Sequence, residues 1–400
     1  MAKKTNAGSK DRISFLRGGK RAEKAEGVDF YDYNLLAVVV LLTCFGLVML
    51  YSTSAYEASV DFGNDMRFFA RQAVTSALFF AVMIYGSRID YHWYTRFAVP
   101  VYILANLLLI ATRFVGRTIN GARRWIYIGS ISFQPAEFAK LAVILFFPTL
   151  IVHYGWKFRK VKVPLIVFGL GVMTSAFTYV FTDNLSTAII ILGIDYVLIV
   201  VAHPKPKRIL QLTAVCVLVL IIFLLVIRST NVLESSSSFR MQRIITWLHP
   251  EENQDKGGYQ VMQALYAIGS GGLFGKGLGN STQKLGALPE AQNDMIFSII
   301  CEELGIIGAM IVLLLFAFML ARLVFIAMNA PDLLGSLIAA GIFAHISLQV
   351  VLNIAVVLNM IPTTGITLPF VSYGGTSIAF LMLEMMLALS VSNQIKVRSV

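Results

Sequence analysis

From Tyr33 onward the chain is a succession of apolar runs, most of them about 20 residues long, separated by short polar turns. A helix needs about 20 apolar residues to cross the hydrocarbon of a bilayer, and it is the only open-ended structure that satisfies its own backbone there. The runs therefore predict an all-α membrane protein with ten transmembrane helices. The first nine cover about 33–53, 68–85, 94–112, 133–153, 163–181, 185–202, 209–227, 294–325 and 333–358. The tenth follows a Pro-, Gly- and Thr-rich turn over 361–375 and ends near 391. Residues 1–32 form a basic tail, 33–394 a single polytopic membrane domain, and 395–400 a short C-terminal tail. Residues 228–293 are the longest polar segment between runs. Within it, 259–268 is mildly apolar and predicts a short helix lying on or dipping into the membrane.

Composition agrees. Hydrophobic residues make up 57% and charged residues only 14%, where soluble domains carry about a quarter charged. The net charge of +11 is concentrated in the N-terminal tail, at Lys3, Lys4, Lys10, Arg12, Arg17, Lys20, Arg21 and Lys24. Only Phe15 stands among those cations, without the repeated aromatics of a nucleic-acid surface, so they read as a cytoplasmic segment facing anionic lipid, and nucleic acid is excluded as a partner. The tail is too long and too charged for a cleaved signal peptide. Cys44, Cys216 and Cys301 all lie in apolar runs, which predicts no disulfide and no metal cluster. The five histidines have no metal-ligand spacing, and no phosphate-binding loop of the G-x-x-x-x-G-K-[ST] type is present.

Short-loop cations orient a polytopic protein. With the N-terminus inside, Arg88, the Lys157–Lys162 group, Lys205, Lys207, Arg208, Arg322, Lys396 and Arg398 all fall inside. One segment breaks the rule: Arg113, Arg117, Arg123 and Arg124 fall outside, between the third and fourth runs. Two readings fit, an interfacial amphipathic helix or an outward-facing anion site.

Ionisable residues within spanning helices are costly and mark function or a paired interior. Glu137 and Lys140 share a helix face at i,i+3, either as a structural ion pair or with Lys140 holding an anionic headgroup that Glu137 helps orient. Asp195, Glu384, Glu302 and Glu303 read as packing or hydrogen-bonding acids. Asp294 stands where the long polar segment turns into an apolar helix. It is placed either to cap that helix or to act as a general base at the water–membrane boundary.

These residues lie in motifs that resemble the SEDS family (shape, elongation, division and sporulation). Asn120-Gly121-Ala122-Arg123-Arg124-Trp125-Ile126 and Gln134-Pro135-Ala136-Glu137-Phe138-Ala139-Lys140 carry the likeness first. Asp183-Asn184-Leu185-Ser186-Thr187-Ala188 is similar to the family's Pro-Asp-Leu-Ser/Gly-Thr-Ala, with Thr182 for the Pro and an inserted Asn. Gly275-Lys276-Gly277-Leu278-Gly279-Asn280-Ser281, Leu288-Pro289-Glu290 and Pro369-Phe370-Val371-Ser372-Tyr373-Gly374-Gly375 complete the set. The family's Thr-Asp-Phe-Ile-Phe-Ala reads Asn293-Asp294-Met295-Ile296-Phe297-Ser298 here, with the Asp kept and the Thr, Phe and final Ala replaced. The match resembles the division and sporulation branch (FtsW, SpoVE) more than the elongation branch (RodA).

The resemblance implies ten helices with both termini cytoplasmic, in a bacterial plasma membrane, and a peptidoglycan glycosyltransferase that polymerises lipid II. It implies Asp294 as the catalytic base, and Arg123, Arg124 and Lys140, or a divalent ion such as magnesium or manganese, as the charges holding the pyrophosphate. Glu290 would orient Asp294 or the acceptor, and Glu137, Asn120, Gln134 and Ser372 complete the candidate substrate-binding residues. The implied partners are a class B penicillin-binding protein and other division or elongation proteins. A lipid II flippase and a non-catalytic division scaffold are the alternatives.

Overall fold

A computed structural model describes residues 28–119, 122–129, 131–160, 162–207, 211, 239–252 and 257–397. The chain opens on a short strand β1 (Val28–Phe30) and continues into α1 (Tyr33–Phe62), α2 (Arg67–Gly86), the one-turn α3 (Tyr91–Thr95) and α4 (Ala98–Val115). Strands β2 (Arg117–Ile119), β3 (Ala122–Ile128) and β4 (Ile131–Phe133) follow, then α5 (Pro135–Tyr154), α6 (Lys162–Thr182) and α7 (Leu185–Ala202). Next come α8 (Phe239–Leu248), α9 (Gly258–Gly271), α10 (Ile296–Asn329), α11 (Leu333–Val357), α12 (Ser377–Ser392) and β5 (Ile395–Val397). Among the described residues, eight helices are long and apolar enough to span a membrane, and α12 is a shorter apolar ninth. The protein is a multi-pass membrane protein. The run expected over 209–227 and the basic tail lie outside the described residues.

Two boundaries differ instructively from the apolar runs. α1 continues to Phe62, where Gly63 at φ 65° closes it by donating to the Ser59 carbonyl. The third run divides: Asp90 caps α3 through the His92 amide, and α4 starts afresh at Ala98 with Pro100 in its first turn, where a missing N–H breaks no bond.

Hairpin alternation gives the bundle two ends. At the end holding the termini, β1 pairs with β5 antiparallel, and buried Asp32 caps α1 while receiving Arg322 at 2.8 Å. At the opposite end lie the β2–β4 sheet, the Asp183 turn, α8 and the turn over residues 358–376. The described chain leaves α7 at the terminal end and resumes in α8 at the opposite end.

The arginine-rich segment after α4 is an antiparallel three-stranded sheet, and the amphipathic-helix alternative does not form. Tyr127 and the isoleucines at 126 and 128 suit a pleated strand, and Gly129 at φ 63° turns β3 into β4, pairing Ile126 with Phe133.

α10 is interrupted at Gly305, which adopts φ 70° and ψ −172°. A break at this depth frees backbone groups that lipid cannot satisfy. The glycine-rich segment after α9 supplies the partners: Lys276 and Gly277 amides donate to the Glu302 and Glu303 carbonyls, and the Ile306 amide donates to Gly272. A β-carbon on Gly305 would stand 2.3 Å from the Leu273 carbonyl oxygen, so the approach requires glycine. The same segment neutralises the adjacent buried acids, with Lys276 on Glu302 at 2.6 Å and Lys284 on Glu303 at 2.7 Å.

Candidate active site

Asp294 occupies the last turn before α10 and is only 8% exposed. The helix cap is Met295 and makes no side-chain bond, so the Asp294 carboxylate does not serve as the cap. Its Oδ1 is buried without a hydrogen-bond partner. A methyl group on Gly365 would stand 3.3 Å from Arg124 Nη1 and 3.9 Å from Asp294 Oδ2, which brings the carboxylate and that guanidinium to the same face of one glycine.

The alternation of a strand explains why Arg124 reaches this place and Arg123 does not. Successive residues of β3 point to opposite faces. Arg124 turns inward, is partly buried and donates to the Asp183 carbonyl at 3.1 Å. Asp183 holds a left-handed backbone (φ 49°) that aims this carbonyl. Arg123 is exposed and bonds Thr118 and the Arg113 carbonyl, bracing the base of the sheet.

A second guanidinium comes from a residue the sequence reading did not single out. Arg243 on α8 donates to the Thr363 carbonyl at 3.1 Å and acts electrostatically on Asp294. The signal available was a basic residue inside a short run with helical amphipathicity, 239–248, in the middle of the polar segment. The 358–376 turn that Arg243 grips is irregular backbone in a buried setting, and its carbonyls need partners. They receive them from side chains: Trp247 on Asn359, Ser186 on Thr364, Asn353 on Ile366 and Gln349 on Thr367.

The remaining candidates fall into three groups. Glu137 and Lys140 form their ion pair at 2.8 Å in the bundle interior, with Lys140 1% exposed and also donating to Gln349 Oε1 at 2.8 Å. Gln349 in turn meets His345, which bonds Glu384 at 2.7 Å. Lys140 is therefore tied to the 358–376 turn through Gln349. Ser372 accepts the Leu368 amide at 2.8 Å within that turn, and Gln134 stands at the start of α5 with no capping bond. Glu290 is exposed at φ 56°, receives Asn293 Nδ2 on its carboxylate and acts electrostatically on Asp294. Asn120 lies outside the described residues. Asp195 is fully buried on α7 with both oxygens unpartnered, packed on Gly171.

Burial, helped by the nearby Glu290, pushes the Asp294 carboxyl up to about 7, against the pull of Arg243 and Arg124. Burial, with Arg243 beside it, lowers Arg124 from its ordinary value, and Asp183 and Asp294 oppose the shift. Both arginines stay cationic. The site thus holds a carboxyl that changes charge near neutrality, beside two cations. Arg124 Nε, Asn353 Oδ1 and Thr364 Oγ1 are also buried without protein partners. Among the described residues no group of three or more His, Cys, Asp or Glu side chains is arranged to hold a metal ion.

A family model described as cell cycle protein, covering FtsW, RodA and SpoVE, matches residues 32–397. Stage V sporulation protein E of Bacillus subtilis (strain 168) is 38% identical over 369 residues, covering 90% of this chain and 96% of that protein. A probable peptidoglycan glycosyltransferase FtsW of Geobacter sp. (strain M18) is 33% identical, covering 92% and 98%. In three dimensions the chain is similar to one solved to describe structural coordination of polymerization and crosslinking by a peptidoglycan synthase complex. The TM-score is 0.72 at 27% identity, over 90% of this chain and 97% of that one.

Proposed function

The chain belongs to the cell cycle protein family of FtsW, RodA and SpoVE and is a peptidoglycan glycosyltransferase, and we propose that it polymerises lipid II with Asp294 as general base. Its relatives place it with the division and sporulation branch.

The observation that carries the base assignment is the buried Asp294 carboxylate, with Oδ1 unpartnered and Arg124 beside it at Gly365. The donor is a sugar α-linked to a polyprenyl pyrophosphate, and the acceptor is the 4-hydroxyl of a second lipid-linked disaccharide. Asp294 takes the hydroxyl proton as the oxygen attacks the anomeric carbon from the face opposite the pyrophosphate, which gives a β-1,4 bond. A base titrating near 7 is half ionised at neutral pH and still basic enough to accept that proton. The pyrophosphate leaves as an anion and needs cations rather than an acid. Arg124 and Arg243 supply them from a water-poor site, where fixed charges act most strongly. Glu290 orients the acceptor. Lys140 and Glu137 act on the site through Gln349, and Ser372 holds the turn that carries Gly365.

The terminal end of the bundle faces the cytoplasm on this reading, since Lys157, Arg159, Lys160, Lys205 and Lys207 lie there. The site end faces outward, where lipid II is consumed. A class B penicillin-binding protein is the partner, a role supported by the likeness to a chain of a peptidoglycan synthase complex. The test is polymerisation of purified lipid II by the chain with that partner, in the presence of moenomycin. Wild type makes glycan strands and Asp294→Asn, folded and bound to the partner, makes none. An active Asp294→Asn protein removes Asp294 from the role of base.

A further inference from the structure

Two arginines the reaction has not used stand at the site end on the first turns of α2. Arg67 and Arg71 share one face at i,i+4, and both are exposed. Arginines at the mouth of a spanning helix commonly meet lipid headgroups. These two are directed elsewhere. Arg71 acts on the Tyr373 hydroxyl by charge and a side-chain hydrogen bond and Arg67 by charge, while the Arg67 guanidinium itself lies over the Phe62 ring at 3.9 Å. The Phe68 ring meets Tyr373 edge-on at 5.1 Å between centroids. Tyr127 of β3 approaches Tyr373 and is covered by Arg117 at 5.0 Å.

The patch is fastened to the active site. Gln72, next to Arg71 and buried, donates Nε2 to the Ser372 carbonyl at 3.3 Å and accepts the Gly374 amide at 3.4 Å. The Tyr373 amide donates to the Gln292 carbonyl at 2.9 Å, and Gln292 stands two residues before Asp294. Arg67, Arg71 and Tyr373 therefore flank Asp294 through the 372–374 turn, and Arg124 and Arg243 approach it through the turn around Gly365.

Each bond formed brings two polyprenyl pyrophosphates to one base. The donor's pyrophosphate is attached to the reacting carbon, so its cations must adjoin Asp294. The acceptor reacts through the 4-hydroxyl at the far end of its disaccharide, so its own pyrophosphate lies a disaccharide away and stays bonded throughout. We propose that Arg67, Arg71 and Tyr373 form the subsite for the acceptor's pyrophosphate, distinct from the Arg124–Arg243 pair that takes the donor's. This rests on the assignment of Asp294 as base. The ligand class is a polyprenyl-linked pyrophosphate. Guanidinium groups grip its oxygens bidentately, the phenol donates a further bond, and a position at the head of α2 lets the polyprenyl chain run directly into the bilayer. Exposure suits a subsite that must exchange its occupant at every round, since the product of one coupling becomes the donor of the next.

The test separates the two substrates in a single coupling by the complex with its partner. One lipid II analogue lacks the 4-hydroxyl and only donates; a second has a non-cleavable phosphonate link and only accepts. Arg71→Gln and Arg67→Gln are each expected to raise KM for the acceptor analogue about tenfold, the loss of roughly one charge-assisted contact, with donor KM and kcat within twofold of wild type. Tyr373→Phe gives a smaller rise in the same constant. Asp294→Asn abolishes kcat with either substrate saturating, so an active Asp294→Asn protein identifies failure of the base assignment independently. A rise in donor KM instead of acceptor KM overturns the proposal. So does an unchanged acceptor KM in all three variants, which would make the arginines headgroup anchors. If Arg71→Gln does not assemble, Arg67→Gln and Tyr373→Phe decide the outcome.

Discussion

Asn353 Nδ2 donates to two carbonyls at once, that of Asp294 at 2.8 Å and that of Ile366 at 2.7 Å. One buried amide thus holds Asp294 to the turn that carries Gly365 beside Arg124. Gln349, a helical turn earlier on α11, performs the same service for Thr367 and takes Lys140 on its other side. Replacing Asn353 with Leu leaves two carbonyls without a donor, a loss of about 1–3 kcal/mol each where they stay dry. The expected outcome for Asn353→Leu is a fall in polymerisation kcat of about 10- to 100-fold, larger than the change in KM, because a misplaced base acts on the transition state. Initial rates at saturating lipid II, set beside a thermal melt of the purified complex, measure it.

The pH dependence follows from the direction of the Asp294 shift. As the proposed base Asp294 works ionised, so kcat/KM rises with pH through a limb near 7. Arg243 favours the ionised form, so Arg243→Gln moves that limb to higher pH. Glu290 opposes ionisation, and Glu290→Gln moves it lower. Stability runs the other way. A carboxyl raised in the folded state gives its advantage when protonated, so its contribution is full below the unfolded value, about 4, and is lost as pH climbs through about 7. Asp294→Asn removes that part of the slope. pH–rate profiles of the three proteins and melts of wild type and Asp294→Asn between pH 4 and 8 check both signs, and identical limbs in all variants contradict them.

Lys284 meets Glu303 at 2.7 Å and Ser52 at 2.8 Å beside the break in α10. Glu303 is fully buried. Lys284→Met strands that carboxylate, and removing one partner of a buried pair costs about 3–5 kcal/mol. The melting temperature of the purified protein drops accordingly. Adding Glu303→Leu to Lys284→Met recovers most of the loss, since an apolar pair needs no compensation. A double variant no more stable than the single one would mean that the cation itself, and not its neutralising of Glu303, holds the break together.

Much of the bundle was legible because each spanning helix is a local signal, an apolar run bounded by polar turns. Asp294 and Arg124 were legible as charges out of place for a membrane protein. Three features were not. The sheet over residues 117–133 carries arginines on both faces, Arg124 inward and Arg123 outward, so its charge pattern did not show which of the two meets Asp294. Arg243 reaches Thr363 across 120 residues of sequence, and no periodicity reports such a contact. The break at Gly305 follows from backbone bonds to Gly272 and Gly277, which an apolar helix containing one more glycine does not reveal.

The two neighbouring arginines of β3 give the sharpest contrast. Arg124 is bonded to the Asp183 carbonyl, and Asp294 shares its face of Gly365. Arg123 faces away and braces Thr118 and Arg113. Arg124→Lys keeps the charge but loses the planar fork that bonds the Asp183 carbonyl and, on the proposed mechanism, a pyrophosphate. It is expected to lower kcat/KM for lipid II about 100-fold, from two weakened charge-assisted contacts in a buried site. Arg123→Ala removes two bonds at an exposed position and lowers kcat/KM no more than about threefold, with a slight loss of melting temperature. Initial-rate assays of the two variants under one condition settle the matter. Equal losses would mean that both faces of the strand carry substrate charge, and a larger loss for Arg123→Ala would move the pyrophosphate to the outer face of the sheet.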